Sequence, residues 1–360
     1  MAISLLEHSN LLTSKVVGKF EEVIPVRAGF GGFFPEETTP SLEVDVEVQR
    51  DNDLIAVDVQ RFTEGNPGKT SKITEHKYIP PFYKQEYYFH TDSVYINTIA
   101  QGVMTNPNIN RLLAQNALKN MTKERLKIER AIRKQQAQVL QTGIVTLTNG
   151  DNIDYRRKAG SIVDISGGTG YWSVSATAKP LDDIQNGLRF LRDVGNSSSG
   201  VVNVVMRSEG LNAMMATTQF KEEADFRRVE RVNISMPQFD EATGLAFHGQ
   251  LGAGDFVVNL WTYNEKYTDA NGATQYYLDL NKVVMLPGDF QGKTVFGGLM
   301  AANDLNIGGV TTMVPSVVEA KYLMRSFANE RTLQSGLEMT SAPIVIPFTI
   351  DKIYTMQVLA

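Results

Sequence analysis

No cysteine occurs in this chain, and that one absence removes disulfides, thiolate zinc sites, iron–sulfur clusters and cysteine nucleophiles together. Strength must come from packing and non-covalent interfaces, or from a crosslink of another kind. Histidine is scarce: His8, His76, His90 and His248 are the four present, without the HExxH or paired spacing of a local metal site. No run of about 18 apolar residues exists to cross a membrane. Glu7 and His8 interrupt the one apolar candidate for a leader, MAISLLEHSNLL, so a soluble cytosolic chain is expected. A formal charge of −5 argues against nucleic-acid binding by the chain as a whole.

Catalytic patterns are missing as well. Gly68-Lys69-Thr70 and Gly292-Lys293-Thr294 look like the tail of a phosphate loop, but the earlier glycine that loop needs falls on Thr63 and Pro287. Neither is followed by a helix start that could present backbone N–H groups to phosphate. Ser166–Trp172, SGGTGYW, lacks the GxSxG elbow. Asn149–Asp154 lacks the ligand alternation of a calcium loop. No cofactor and no metal are expected.

What the chain has is length and periodicity. Its 360 residues exceed one ordinary core, and 42% apolar residues can fill a sizeable interior. Near the start, RAGFGGFFPEETTP sets Phe30, Phe33 and Phe34 among glycines ahead of Pro35 and Pro40. Aromatics in breaker-rich sequence need a cover. Residues 1–40 read as an arm, packed either on a neighbouring molecule or on its own domain. Leu42, Val44, Val46, Val48 and then Ile55, Val57, Val59 alternate with polar residues, the period of strands. A turn at TEGNPGKTS and a return closed by Pro80 and Pro81 make residues 41–90 a long polar hairpin and its base.

The period then changes. Leu113, Ala117, Met121, Ile128, Ile132 and Val139 fall at steps of four and seven, predicting one helix over 108–142, ended by Gly143. At 1.5 Å per residue it spans roughly 50 Å, a structural spine. Its other face carries Arg111, Lys119, Lys123, Arg125, Lys127, Arg130, Arg133 and Lys134 against Glu124 and Glu129. Two readings stand: a solvated face with acidic neighbours from another segment, or a surface toward a polyanion. From about Ala178 a mixed α/β unit follows. Pro180 starts a helix, VVNVVM is a buried strand, EGLNAMMATTQFKEE is a second helix, and Asn271-Gly272 turns a hairpin between two strands. The last stretch, SAPIVIPFTIDKIYTMQVLA, is apolar and reads as two strands, 344–349 and 353–359.

In four places, in order, the chain resembles the lambda-type phage major capsid protein family. The ending carries Ser341-Ala342-Pro343 before apolar strands and the tail Gln357-Val358-Leu359-Ala360; SGVVNVVMRSEGLNAMM resembles the family's strand and helix. GDFVVNLWTYNEKYTDANGATQYYL resembles its NG hairpin, and TEGNPGKTSKITEHKYIPPFYKQEY its outward loop with a P-x-x-K return, here Pro81 and Lys84.

The resemblance implies an α+β chain of the Hong Kong 97-type major capsid fold. Its parts would be an N-terminal arm (1–40), an extended β-hairpin loop (41–90), a peripheral domain with the spine helix (91–177 plus 301–345) and a mixed α/β axial domain (178–300 plus 346–360). It implies a tailed-phage major capsid protein, not an enzyme, that assembles with itself as hexamers and pentamers into an icosahedral shell around double-stranded DNA, without sequence-specific binding. Other expected partners are a separate scaffolding protein, a portal and a decoration protein, with assembly in the host cytoplasm into the virion capsid and no membrane. Expected intersubunit loop residues are Asp58, Arg61, Glu64, Lys69, Lys72, Glu75 and Lys77, of which Lys69 and Lys72 also read as ordinary solvated lysines. Phe30, Phe33 and Phe34 are expected as arm contacts on a neighbour, and Lys119, Lys123 and Lys127 as DNA-facing. The alternatives are an encapsulin-like compartment shell and a cytosolic enzyme whose site only the tertiary fold assembles.

Overall fold

A computed structural model describes residues 26–50, 72–89, 106–147, 152–167, 170–224, 232–307, 310–329 and 334–360. Helix α1 (Asn106–Thr142) is the expected spine. Gly143 stops it in the left-handed region (φ 72°), donating its N–H to the Val139 carbonyl at 2.9 Å. A Cβ there would also run into the Arg157 side chain, so only glycine fits. Met121, Ile128, Ile132 and Val139 are buried as the stripe requires. Gln135, Gln136 and Gln141 are buried with them. Each amide finds a partner in another element: the Tyr83 hydroxyl (2.8 Å), the Thr294 hydroxyl (3.1 Å) and the Tyr277 carbonyl (2.8 Å). A buried amide without such partners would cost about 1–3 kcal/mol.

A seven-stranded mixed sheet forms the other half. In order across the sheet it runs Ile162–Asp164, Tyr354–Gln357, Lys282–Pro287, Val201–Met206, Phe256–Tyr263, Leu245–Ala253 and Val232–Phe239. Period two divides it between two cores. Val202, Val204 and Met206, with Val283 and Met285, join a cluster that includes Ile184, Leu188, Leu211, Met214 and Phe220 of helices α2 (Pro180–Asp193), α3 (Ser208–Ala216) and α4 (Thr218–Ala224). Val205, Val284 and Leu286 face the opposite way, into the core that α1 lines.

The two final strands of the sequence go to different sheets. Pro343–Pro347, buried at every residue, pairs antiparallel with Gly292–Phe296, whose far edge pairs in parallel with Glu36–Thr38. Tyr354–Gln357 is an inner strand of the large sheet, flanked by Lys282–Pro287 and Ile162–Asp164. Arg157 ties this end to the spine: its guanidinium donates to the carbonyls of Leu140, Ser161 and Ile353 and to the Thr355 hydroxyl, at 2.9–3.2 Å. Burial lowers its pKa to about 10.

Three expectations need correction. Phe30 and Phe34 are core residues of their own subunit, 1% and 0% exposed, packed on Tyr263 and Phe290, and Phe33 lies half-buried beside them. Phe30 and Phe34 are therefore covered by their own subunit, while Phe33 keeps part of its ring exposed. Residues 208–224 form two helices, because Thr217 turns to extended backbone (ψ 151°) and its hydroxyl takes the Met214 carbonyl at 2.7 Å. The Asn271-Gly272 turn exists, with Gly272 at φ 81°, but closes a ribbon of only three residues a side, Lys266–Thr268 with Thr274–Tyr276. The longer flanking strands are kept apart by Val201–Met206, which inserts between them in the sheet.

Candidate assembly surfaces

Two hairpins and one small sheet stand beside the two cores, the small sheet in contact with α1. The loop ribbon joins Val44–Arg50 to Lys72–Tyr78; a second hairpin joins Leu299–Ile307 to Val310–Val318; and Tyr83–Phe89, Gln334–Ser341 and Leu323–Asn329 form a three-stranded sheet. Their roots meet at Gly297 and Gly298. A Cβ on Gly297 would touch Pro80, and one on Gly298 would collide with the Pro40 carbonyl and with Val317. Gly298 donates its N–H to the Ser41 carbonyl at 2.8 Å. Glycine is needed here because three chain segments cross within contact distance.

On the small sheet, Lys84 reaches both Glu86 and Glu338 at 2.8 Å, and Glu338 also accepts from Arg325. Burial alone would raise the Glu338 pKa; the hydrogen bonds from Lys84 and Arg325 outweigh it and hold the carboxyl below its usual value. The bond to Glu338 first, then that to Glu86, pushes the Lys84 ammonium up to about 12. The arm strand is fastened similarly, by Glu36 to Lys321 (2.7 Å) and Glu37 to Lys293 (2.6 Å). Exposed pairs of this kind contribute at most about 1 kcal/mol each, so they set register more than strength.

Of the expected loop residues, Asp58, Arg61, Glu64 and Lys69 lie outside the described residues. Lys72 stands opposite Arg50 in the ribbon register, Glu75 opposite Glu47, and Lys77 opposite Asp45, with 4.0 Å between the Lys77 and Asp45 charges. On the spine, Lys127 is paired with Glu124 at 2.8 Å and Arg125 with Glu129 at 3.2 Å, acids of the same helix rather than of another segment. Lys134 sits over the Tyr267 ring, turned toward the protein. The basic face is therefore not one uniform surface. Lys119 is exposed and Lys123 half-buried.

Charge reading missed the apolar exposure around the hairpin roots. Leu42, Ile79, Phe82, Met300 and Val317 are between 44% and 73% exposed. Among the described residues no group of three metal-ligating side chains occurs, and no helix is long and apolar enough to cross a membrane. Gly292-Lys293-Thr294 is a paired strand rather than a phosphate loop. His248, at a β-bulge, touches the Thr262 hydroxyl at 2.8 Å, and burial lowers its pKa.

Comparison with known proteins places this arrangement. The structure of a prophage capsid protein from E. coli CFT073 superposes with a TM-score of 0.60 at 18% identity, covering 100% of both chains. The capsid subunit of cyanophage A-1(L) gives 0.50 at 12% identity over 99% of each. The SrpI encapsulin of Synechococcus elongatus PCC 7942 gives 0.46 at 11% over 100% of this chain and 96% of that one, too distant to weigh for either class. The shared fold is the Hong Kong 97 type. No curated protein sequence matches significantly. The profile of phage major capsid protein E matches residues 21–358. Matched over nearly its whole length, the chain belongs to the phage major capsid protein E family, a family of structural proteins rather than enzymes.

Proposed function

We propose that this chain is the repeating subunit of an icosahedral phage head, assembling as hexamers and pentamers around double-stranded DNA. The family match along residues 21–358 carries the reading. Its mechanism is geometric. A projecting ribbon adds contact area where one domain offers little, since stable interfaces bury over about 1,000 Å² in total. Laid across an adjacent subunit, the charges of the loop, from Asp58 to Lys77, would fix register and exclude wrong partners rather than supply raw affinity.

In this reading the seven-stranded sheet with α2, α3 and α4 is the axial unit, and α1 with the small sheets is the peripheral one. The boundary drawn at residue 345 cuts one continuous strand, Pro343–Pro347, and would move beyond it. A separate scaffolding protein, a portal and a decoration protein complete the assembly in the host cytoplasm. Packaged DNA is held without sequence reading. Lys119, Lys123 and Lys127 are the DNA-facing candidates, Lys127 lying beside Glu124. Charge reversal at Lys119, Lys123 and Lys127 then lowers DNA retention in assembled heads; unchanged retention removes that assignment.

The direct test is negative-stain electron microscopy of the purified chain, alone and with scaffold from the same genome. Closed shells or six-fold rings are expected. A concentration-independent monomer in every condition overturns the shell reading, and a co-purified enzyme inside the particles would turn it toward a storage compartment.

A further inference from the structure

We propose that the arm, the spine and the root of the Asn271-Gly272 ribbon share a binding site for one small inorganic anion of chloride size. A cavity of about 20 Å³ lies where these three segments meet, lined by Arg27, Arg130, Tyr263, Glu265, Lys266 and Tyr277. That is room for about one water-sized particle. The arm's side of it is fixed by backbone. Ala28 and Gly29 donate their N–H groups to the Ala242 and Thr243 carbonyls at 2.9 Å. Gly29 stands in the left-handed region (φ 53°), and a Cβ on it would collide with the Tyr263 hydroxyl.

Two buried tyrosines point to a ligand. Tyr263 is 2% exposed and Tyr277 8%, yet neither hydroxyl has a hydrogen-bond partner among the described residues. A buried tyrosine hydroxyl ordinarily finds one. Burial raises both pKa values, that of Tyr277 to about 12, so both keep a proton to donate at neutral pH. Glu265 and Arg133 act on each hydroxyl, which places the two phenols in one electrostatic neighbourhood. Arg133 adds a further orphan donor there, because its buried Nε has no partner among the described residues.

Charge and size select the occupant. Three cations, Arg27, Arg130 and Lys266, line the cavity against one acid, Glu265, which is already paired with Arg27. With the two phenols the wall is mostly donors. A water would have to aim its own hydrogens at groups that are themselves donating. An anion accepts from every one of them and offsets the excess of positive charge, in a partly buried place where charge-assisted bonds are strong. Phosphate and sulfate, with four oxygens each, exceed the space, so the phosphates of DNA are not the occupant. The ion would join residues 26–27, Arg130 and residues 263–277, and so fasten the arm to the spine.

The experiment follows thermal unfolding of the free full chain in mixtures of sodium chloride or sodium bromide with sodium gluconate at constant ionic strength. Gluconate is too large to enter. Once the site is saturating, the parent's Tm is expected to rise by roughly 2 °C for each tenfold increase in chloride or bromide. Removing a buried hydroxyl that has no partner costs little. Tyr277→Phe should therefore match the parent in gluconate alone and fall below it in chloride. Lys266→Gln changes an exposed position, so it should fold normally and respond to chloride more weakly than the parent. In crystals grown with bromide, anomalous diffraction should place one ion beside Arg27, Lys266 and Tyr277. A parental Tm that ignores the exchange of gluconate for chloride would overturn the proposal. So would a chloride response that Tyr277→Phe keeps in full, because the ion would then act elsewhere. The free chain is measured throughout, so the outcome is independent of whether shells form.

Discussion

The final strands of this sequence and the roots of its hairpins are both strongly apolar, yet the protein treats them oppositely. Pro343–Pro347 and Tyr354–Gln357 are buried almost throughout, and the second is tied to the spine by Arg157 and by Thr355, whose hydroxyl donates to the Leu140 carbonyl at 3.0 Å. Trp172 and Asn281 pin Val358 by backbone hydrogen bonds at 2.9 and 2.7 Å. Ile79 and Phe82, by contrast, stand in solvent around a buried proline. Apolar content alone does not separate a wall from an open face. What separates them is how many elements surround the segment: a sheet partner on one edge of Pro343–Pro347 and on both edges of Tyr354–Gln357, with helices packed behind, in one case; a glycine junction below and no cover among the described residues in the other. In a shell subunit the first holds the monomer together, and the second lies beside the ribbon proposed to cross onto a neighbour.

Substitutions can break that contrast in order of effect. Met356→Asp puts a charge at a fully buried position of an inner strand, and we expect loss of the soluble folded chain, read by circular dichroism. Phe34→Ala should cost about 3–5 kcal/mol in urea unfolding, because it opens a cavity against Phe290 and Gly292. Removing residues 1–40 takes Phe30, Phe34 and the strand Glu36–Thr38 away from their partners, so folding should suffer before assembly does.

The clamp on the small sheet is weaker and depends on pH. The folded Glu338 carboxyl titrates below its ordinary 4.5, so its contribution is present above that pH and is lost as pH falls through the lower folded value. Glu338→Gln should cost about 1 kcal/mol at pH 7 and flatten the acid limb of a stability–pH curve. An acid limb identical to the parent's would remove Glu338 from the account. The smallest effect belongs to the open face: Ile79→Ala and Phe82→Ala should each change the stability of the free chain by less than about 0.5 kcal/mol, measured by chemical unfolding.

Much of the scaffold was legible beforehand, and for identifiable reasons. The spine announced itself by steps of four and seven ending in Gly143, and the final strands by an unbroken apolar run split near Asp351. The resemblance to the capsid family rested on motifs in the right order, and the family match bears it out. What stayed hidden depends on contacts between distant segments. Nothing in the sequence marks Gln135, Gln136 or Arg157 for the interior, and only their partners on other elements explain their place there. Phe30 and Phe34 read equally well as an arm for a neighbour or a lid on the home core. Nothing in the sequence around Pro80 and Pro81 marks Ile79 and Phe82 as uncovered, because exposure of an apolar side chain is a property of what the fold leaves uncovered.

The most direct test of the contrast is hydrogen–deuterium exchange on the free chain and on assembled particles. We expect residues 343–357 to be strongly protected in both states, and residues 79–89 and 299–301 to gain protection only on assembly. Rapid exchange of 343–357 in the free chain, or no gain at the hairpin roots in the particle, would contradict the division between a welded wall and an open face.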